Sequence, residues 1–261
     1  MTINIGPSGI AEEKIIIIEK KIKKNPDHEI IERKGLGHPD TICDALASEL
    51  SRDYSNYTIK NCDGRILHHQ FDKIMLIGGK TDVSWGGGEF VKPIQVNIVG
   101  RITKSYLGKN LPINKIIQQV LKNFFTRMFP KINFKKNLVI NNFLTDFAGP
   151  GTIKESTGSI KNMFNPIDKN VIRGYEKLVA NDTSCCVAYA PLSSLETAVL
   201  KAEKFLNDSV TKKKFPWLGT DIKIMAIKYE DNVDLTVCIP QIAKYVKDLY
   251  KMSTFRTVVY A

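Results

Sequence analysis

No apolar run in this chain approaches the roughly 20 residues that a membrane-crossing helix requires; the longest compact one is Ile15–Ile18. The opening stretch, MTINIGPSGIAEEK, has neither the basic start nor the extended apolar segment of a secretory signal. Cysteine is sparse: five are present, none at metal-ligand spacing, and Cys185 and Cys186 are adjacent, which argues against a disulfide framework. No serine, cysteine or threonine has a legible base partner, so nucleophilic catalysis has no support in the sequence. These absences point to a cytoplasmic protein without membrane association.

Length and charge are what the chain does have. Its 261 residues allow one large domain or two ordinary ones. The 43% hydrophobic and 25% charged content is that of a globular protein. A net charge of +11 suits nucleic acid, a polyphosphate ligand, or simply a lysine-rich surface. The lysine runs KKIKK (20–24) and TKKK (211–214) lack interleaved aromatics. Solvated charged faces are therefore the stronger reading, and a nucleic-acid groove the weaker one.

Patterning predicts short strands at KIIIIEK and HEIIERK, followed after Pro39 by a helix with Ile42, Leu46, Leu50 and Tyr54 on one face. RILHHQF and KIMLIGG read as two apolar strands. PIQVNIVGRI alternates, with Ile94, Val96 and Ile98 on one face and Gln95 and Asn97 on the other. A helical stripe runs through Ile113, Ile116, Ile117, Val120 and Phe124. Then come the strand KNLVINNFL, the loop TDFAGPGTIKESTGS, the strand CCVAYAP, a helix near SSLETAVLKAEKFL, and the strands DIKIMAIKY and VDLTVCI around EDN. The fold class expected is α+β, in two units, 1–135 and 136–261, without a clean sequence repeat.

The densest chemistry lies in IERKGLGHPDTICD, residues 31–44. His38, Pro39 and Asp40 stand at the mouth of the predicted helix, with Pro39 suited to its first position. Helix N-termini favour phosphate. Gly35 and Gly37 would let backbone approach a ligand, and Asp40 is a candidate Mg²⁺ ligand beside substrate phosphates. The alternative is a capping Asp40 and a surface His38; the tetrapeptide alone leaves both open. WGGGEF (85–90) is a close-approach loop or a plain hairpin turn, the latter the stronger reading. His68 and His69 should face opposite ways on a strand, which argues against a shared metal. Asp182 and Ser184 in ANDTS, and Asp221 in GTDIK, present a ligand or merely make turns. Phosphate chemistry by positioning and charge is the class that fits best.

Taken in order, ERKGLGHPDTICD, GRILHHQFDKIMLIGG, WGGGEFVKPI with GRITK, ANDTSCCVAYAPLS and DIKIMAIK resemble the corresponding blocks of archaeal-type S-adenosylmethionine synthetases, from about Glu29 to Tyr250. The resemblance implies synthesis of S-adenosylmethionine from ATP and L-methionine, with the expelled triphosphate cleaved to phosphate and pyrophosphate. It implies Mg²⁺, with K⁺ an open second ion. Glu32 and His38 would meet the polyphosphate and metal, and Asp40 would ligate Mg²⁺. Lys34, Gly37, Asp182, Ser184 and Asp221 would serve the substrates, and Arg33 is a further charge partner. It also implies related units about a pseudo-threefold axis and dimers with active sites between subunits.

The sequence departs from the family pattern at Gln70-Phe71, Cys185-Cys186 and Thr220, and in GPGTIK, where Thr152 and Lys154 replace a serine and an acid. No Gly-Asp-Asp-Gly-Ser stretch follows DLYKMSTFRTVVYA. The expectation is therefore a family member lacking the usual C-terminal portion, working as a homo-oligomer or with a second chain. The alternative is a weak or inactive paralogue that binds nucleotide or regulates a full-length synthetase.

Overall fold

Ile42, Leu46, Leu50 and Tyr54 are all buried. They form one stripe of α1 (Pro39–Asn61), as their four-residue spacing requires. The computed structural model describes residues 26–147, 164, 166 and 189–248. Before α1 runs β1 (His28–Lys34), and after it come β2 (His69–Ile77), β3 (Lys80–Ser84), β4 (Gly87–Lys92) and β5 (Ile94–Ile102). A small pair, β6 (Ser105–Tyr106) and β7 (Lys109–Asn110), precedes α2 (Ile113–Met128), α3 (Phe134–Asn137) and β8 (Leu138–Thr145). The last described elements are α4 (Ser194–Asn207), α5 (Ser209–Lys214), β9 (Lys223–Tyr229) and β10 (Asn232–Cys238), then a single 3-10 turn (Ala243–Tyr245).

The result is a mixed α/β protein with several sheets. One sheet has the order β2-β5-β8, with β5 and β8 parallel across the α2–α3 crossover. Its inner face (Val96, Ile98) packs against Leu46 and Leu50 of α1 and Ile117, Leu121 and Phe125 of α2. The second sheet has the order β1-β9-β10, all antiparallel, with Ile31, Ile222, Ile224 and Ala226 against Leu195 and Val199 of α4. Both three-stranded sheets draw strands from either side of position 135.

Two local expectations change, and the stronger reading of WGGGEF holds. The segment expected to give two strands around HHQF and KIMLI is one strand, β2, with a register shift between Gln70 and Lys73. Opposite the shift stands Gly100, where a Cβ would come within 2.0 Å of the Gln70 carbonyl oxygen, so the bulge is accommodated by the absence of a side chain. Asn97, read as outward and polar, is 7% exposed. It is satisfied by donating to the Met75 carbonyl at 3.3 Å and accepting from Asn141 Nδ2 at 2.9 Å. WGGGEF is a hairpin: Gly86 is in the left-handed region (φ 84°), Gly87 and Gly88 lie in β4, and the Gly86 N–H donates to the carbonyls of Ala243 and Val246. KIIIIEK, most of CCVAYAP and most of the glycine-rich loop after β8 lie outside the described residues.

Candidate functional site

Alternation along β1 separates three consecutive charged residues. Arg33 faces α4, where its guanidinium lies 3.3 Å from Glu203, a carboxylate only 4% exposed. Arg33 is thus a structural partner rather than a member of the charge cluster expected for it. Glu32 and Lys34 share the opposite face. The β1–β9 ladder continues past the strand: the Gly35 N–H donates to the Ile222 carbonyl at 2.7 Å, and that of Gly37 to the Thr220 carbonyl at 3.0 Å. A Cβ on Gly37 would meet Thr220 Oγ1 at 2.2 Å, and one on Gly35 would meet the Ile222 carbonyl oxygen at 3.0 Å. What these glycines approach is the chain leading into β9, which is the physical reason they lack side chains.

That docking fixes the start of α1. His38 is its N-cap, and Nδ1 accepts a hydrogen bond from the Asp40 N–H at 3.2 Å. The capping residue is therefore His38 and not Asp40, which sits in the first turn after Pro39. With Nδ1 engaged as an acceptor, the neutral imidazole carries its proton on Nε2. Asp40 is exposed at the positive end of the helix dipole.

Glu32, Lys34, Asp40 and Lys223 form an alternating row of charge. Lys34 Nζ lies 2.5 Å from Asp40 Oδ2 and 3.9 Å from Glu32 Oε2, and Lys223 Nζ lies 2.5 Å from Glu32 Oε1. The Lys34 ammonium holds the Asp40 carboxyl below its ordinary value, and Lys223 does the same for Glu32. Asp40 in turn raises Lys34. Lys223 was not legible as a site residue from the sequence; it is the cross-strand partner of Lys34, a relation visible only once β1 and β9 are paired in register.

Asp221 lies between Thr220 and Ile222, whose carbonyls receive the Gly37 and Gly35 N–H groups, so the backbone brings it beside the GHPD loop. Asp182 and Ser184 lie outside the described residues. His69 makes hydrogen bonds to Ser51 Oγ and the Leu67 carbonyl, while His68 packs edge-on against Phe164. Among the described residues no three His, Cys, Asp or Glu side chains converge as a metal cluster. Two carboxylates completed by ligand phosphates remain the donor set available here, and that is the set Mg²⁺ ordinarily takes. The Lys34 ammonium already stands between them as a cation, which fits such a site. A cleft of about 950 Å³, lined by Lys115, Lys122, Lys131 and Lys135 among others, includes no residue of the GHPD loop.

The model of the S-adenosylmethionine synthetase (AdoMet synthetase) family matches residues 13–260. The chain is 35% identical over 223 residues to the "Probable S-adenosylmethionine synthase" of Aquifex aeolicus, an alignment covering 85% of this chain and 52% of that protein. It is 35% identical over 231 residues to the S-adenosylmethionine synthase of Picrophilus torridus, covering 87% and 52%. For that of Aeropyrum pernix the identity is 35% over 223 residues, covering 84% and 50%. The chain spans about half the length of the curated relatives it matches.

Proposed function

This chain belongs to the S-adenosylmethionine synthetase family, and from that premise we propose that it forms S-adenosylmethionine from ATP and L-methionine and cleaves the expelled triphosphate to phosphate and pyrophosphate. The observation that carries the reading is the convergence of Glu32, Lys34, His38, Asp40 and Lys223 at the N-terminus of α1. A thioether sulfur attacks C5′ of ATP without a base, because its lone pair is already a nucleophile. The demand on the protein is to align two reactants and to stabilise a highly charged leaving group.

Lys34 and Lys223 supply positive charge to the departing triphosphate, His38 donates from Nε2 to a phosphate oxygen, and the α1 dipole acts in the same sense. Asp40 and Glu32 would hold Mg²⁺, which when bound neutralises charge on the phosphates. Gly37 keeps this loop docked on the 220–222 segment, and Asp182, Ser184 and Asp221 serve nucleotide and methionine. The pseudo-threefold arrangement of related units belongs to the same proposal, with the units interleaved in sequence as the sheets are. So does self-association, supported by exposed Ile30, Ile227 and Tyr229 on the outward side of β1 and β9.

The test is to incubate the protein with ATP, methionine, Mg²⁺ and K⁺ and to follow S-adenosylmethionine by mass spectrometry together with phosphate release. Product that disappears in His38→Ala and Asp40→Ala supports the reading; no product from the folded protein removes it. The second reading, a nucleotide-binding or regulatory partner of a full-length synthetase, is favoured by one observation: the carboxylates of Asp40 and Glu32 are already paired with the ammonium groups of Lys34 and Lys223. ATP binding that depends on Asp40 without turnover would select it.

A further inference from the structure

Lys34 and Lys223 face one another as partners in the β1–β9 ladder, an arrangement of like charges that is ordinarily destabilising. Here it is balanced. Glu32 lies between the two, 2.5 Å from Lys223 Nζ and 3.9 Å from Lys34 Nζ, and Asp40 takes Lys34 at 2.5 Å. The two carboxylates that would hold a divalent cation are thus already neutralised by two ammonium groups of the same chain. A cation entering between Glu32 and Asp40 must displace Lys34, and the displaced ammonium is then free for phosphate.

We propose that Lys34 is a resident counter-ion that competes with the divalent cation for Asp40 and Glu32 and, once displaced, turns to the phosphates, so that cation and polyphosphate each strengthen the binding of the other. Lys223 does the same for Glu32. This rests on the metal–polyphosphate reading of the site and deepens it: Lys34 is a positioning residue whose two partners are used in turn. Linkage requires the coupling to be reciprocal. It also predicts an effect that a merely structural lysine would not produce, a tighter grip on the bare cation when the lysine is removed.

The experiment is calorimetric titration of the full chain with Mn²⁺ alone, then with Mn²⁺ in the presence of inorganic triphosphate. Lys34→Met should bind Mn²⁺ alone roughly fivefold more tightly than wild type, the factor that one exposed ion pair at the upper end of its usual strength represents. The gain in Mn²⁺ affinity on adding triphosphate should shrink correspondingly. Lys34→Arg, which keeps the charge, should behave as wild type, and Lys223→Gln should shift Mn²⁺ affinity in the same direction as Lys34→Met. Unchanged or weaker Mn²⁺ binding in both Lys34→Met and Lys223→Gln overturns the proposal while leaving the site reading intact. If wild type binds Mn²⁺ under neither condition and Asp40→Asn changes nothing, the site reading falls and this inference with it.

Discussion

A Cβ built on Gly37 lies 2.2 Å from Thr220 Oγ1 and 2.6 Å from the Thr220 carbonyl carbon. The second contact is the more restrictive, because a hydroxyl can rotate away and a backbone carbon cannot. Gly37→Ala should therefore push the GHPD loop off the 220–222 segment, at a cost of about 1–3 kcal/mol for overpacking. Thr220→Gly should not rescue it, since the backbone clash remains. Urea denaturation of the two single variants and the double variant measures both statements. Rescue by Thr220→Gly would show that the side chain alone sets the contact.

The carboxylates of the charge row carry a pH signature. Lys34 lowers Asp40 and Lys223 lowers Glu32. For carboxyls depressed in the folded state, the stabilisation is present above the unfolded-state values, near 4, and is lost as pH falls through the lower folded values. Carbon-detected NMR titration should place Asp40 below the ordinary aspartate range in wild type and nearer that range in Lys34→Met. The stability of wild type should fall more than that of Lys34→Met as pH drops below about 4. An Asp40 titration unaffected by Lys34→Met would mean that the pair does not persist in solution.

What the sequence reveals here, and what it hides, follows from how far each signal reaches along the chain. Helix α1 is legible because its signals are local: apolar residues every four positions, and Pro39 where no donor is needed. The alternation of β1 already separates Arg33 from Glu32 and Lys34, but which face packs on α4 is not legible, because Ile30 and Ile31 put an apolar residue on each. Gly35 and Gly37 announce a close approach but not its partner, and a ligand and the neighbouring strand leave the same glycines. Lys223 is invisible as a site residue because its relation to Lys34 exists only in the register of β1 on β9. Asn97 looks like a surface residue until β2 and β8 close over it with Met75 and Asn141.

Tyr54 joins α1 to the chain beyond β5. Its ring is fully buried and its hydroxyl donates to the Thr103 carbonyl at 2.8 Å; burial pushes the phenol pKa up, so it stays protonated and remains a donor at ordinary pH. Tyr54→Phe keeps the packing and removes only the donor, which should cost about 1–2 kcal/mol. Leu50→Ala, on the same stripe and equally buried, removes core volume and should cost about 2–5 kcal/mol. Chemical denaturation of both variants checks the order. A larger loss for Tyr54→Phe would mean that the hydrogen bond, not the apolar stripe, holds α1 in place.

Arg33 offers the cleanest separation of structure from chemistry, because it neighbours Glu32 and Lys34 in sequence and faces away from them in space. Its partner Glu203 also accepts from Asn207 Nδ2 at 2.7 Å, through its other oxygen. Arg33→Met would leave a nearly buried carboxylate with that amide and the nearby ammonium of Lys212. Breaking a fully buried pair costs about 3–5 kcal/mol. The Arg33 side chain is 44% exposed, so solvent screening reduces the expected loss to about 1–2 kcal/mol. Adding Glu203→Gln removes the stranded charge and should restore most of the loss, a coupling that a double-mutant cycle isolates. Mn²⁺–triphosphate binding should change by less than about twofold in Arg33→Met, since surface charges on opposite sides of a sheet are strongly screened at physiological salt. A collapse of that binding with stability preserved would put Arg33 back among the groups that meet the phosphates.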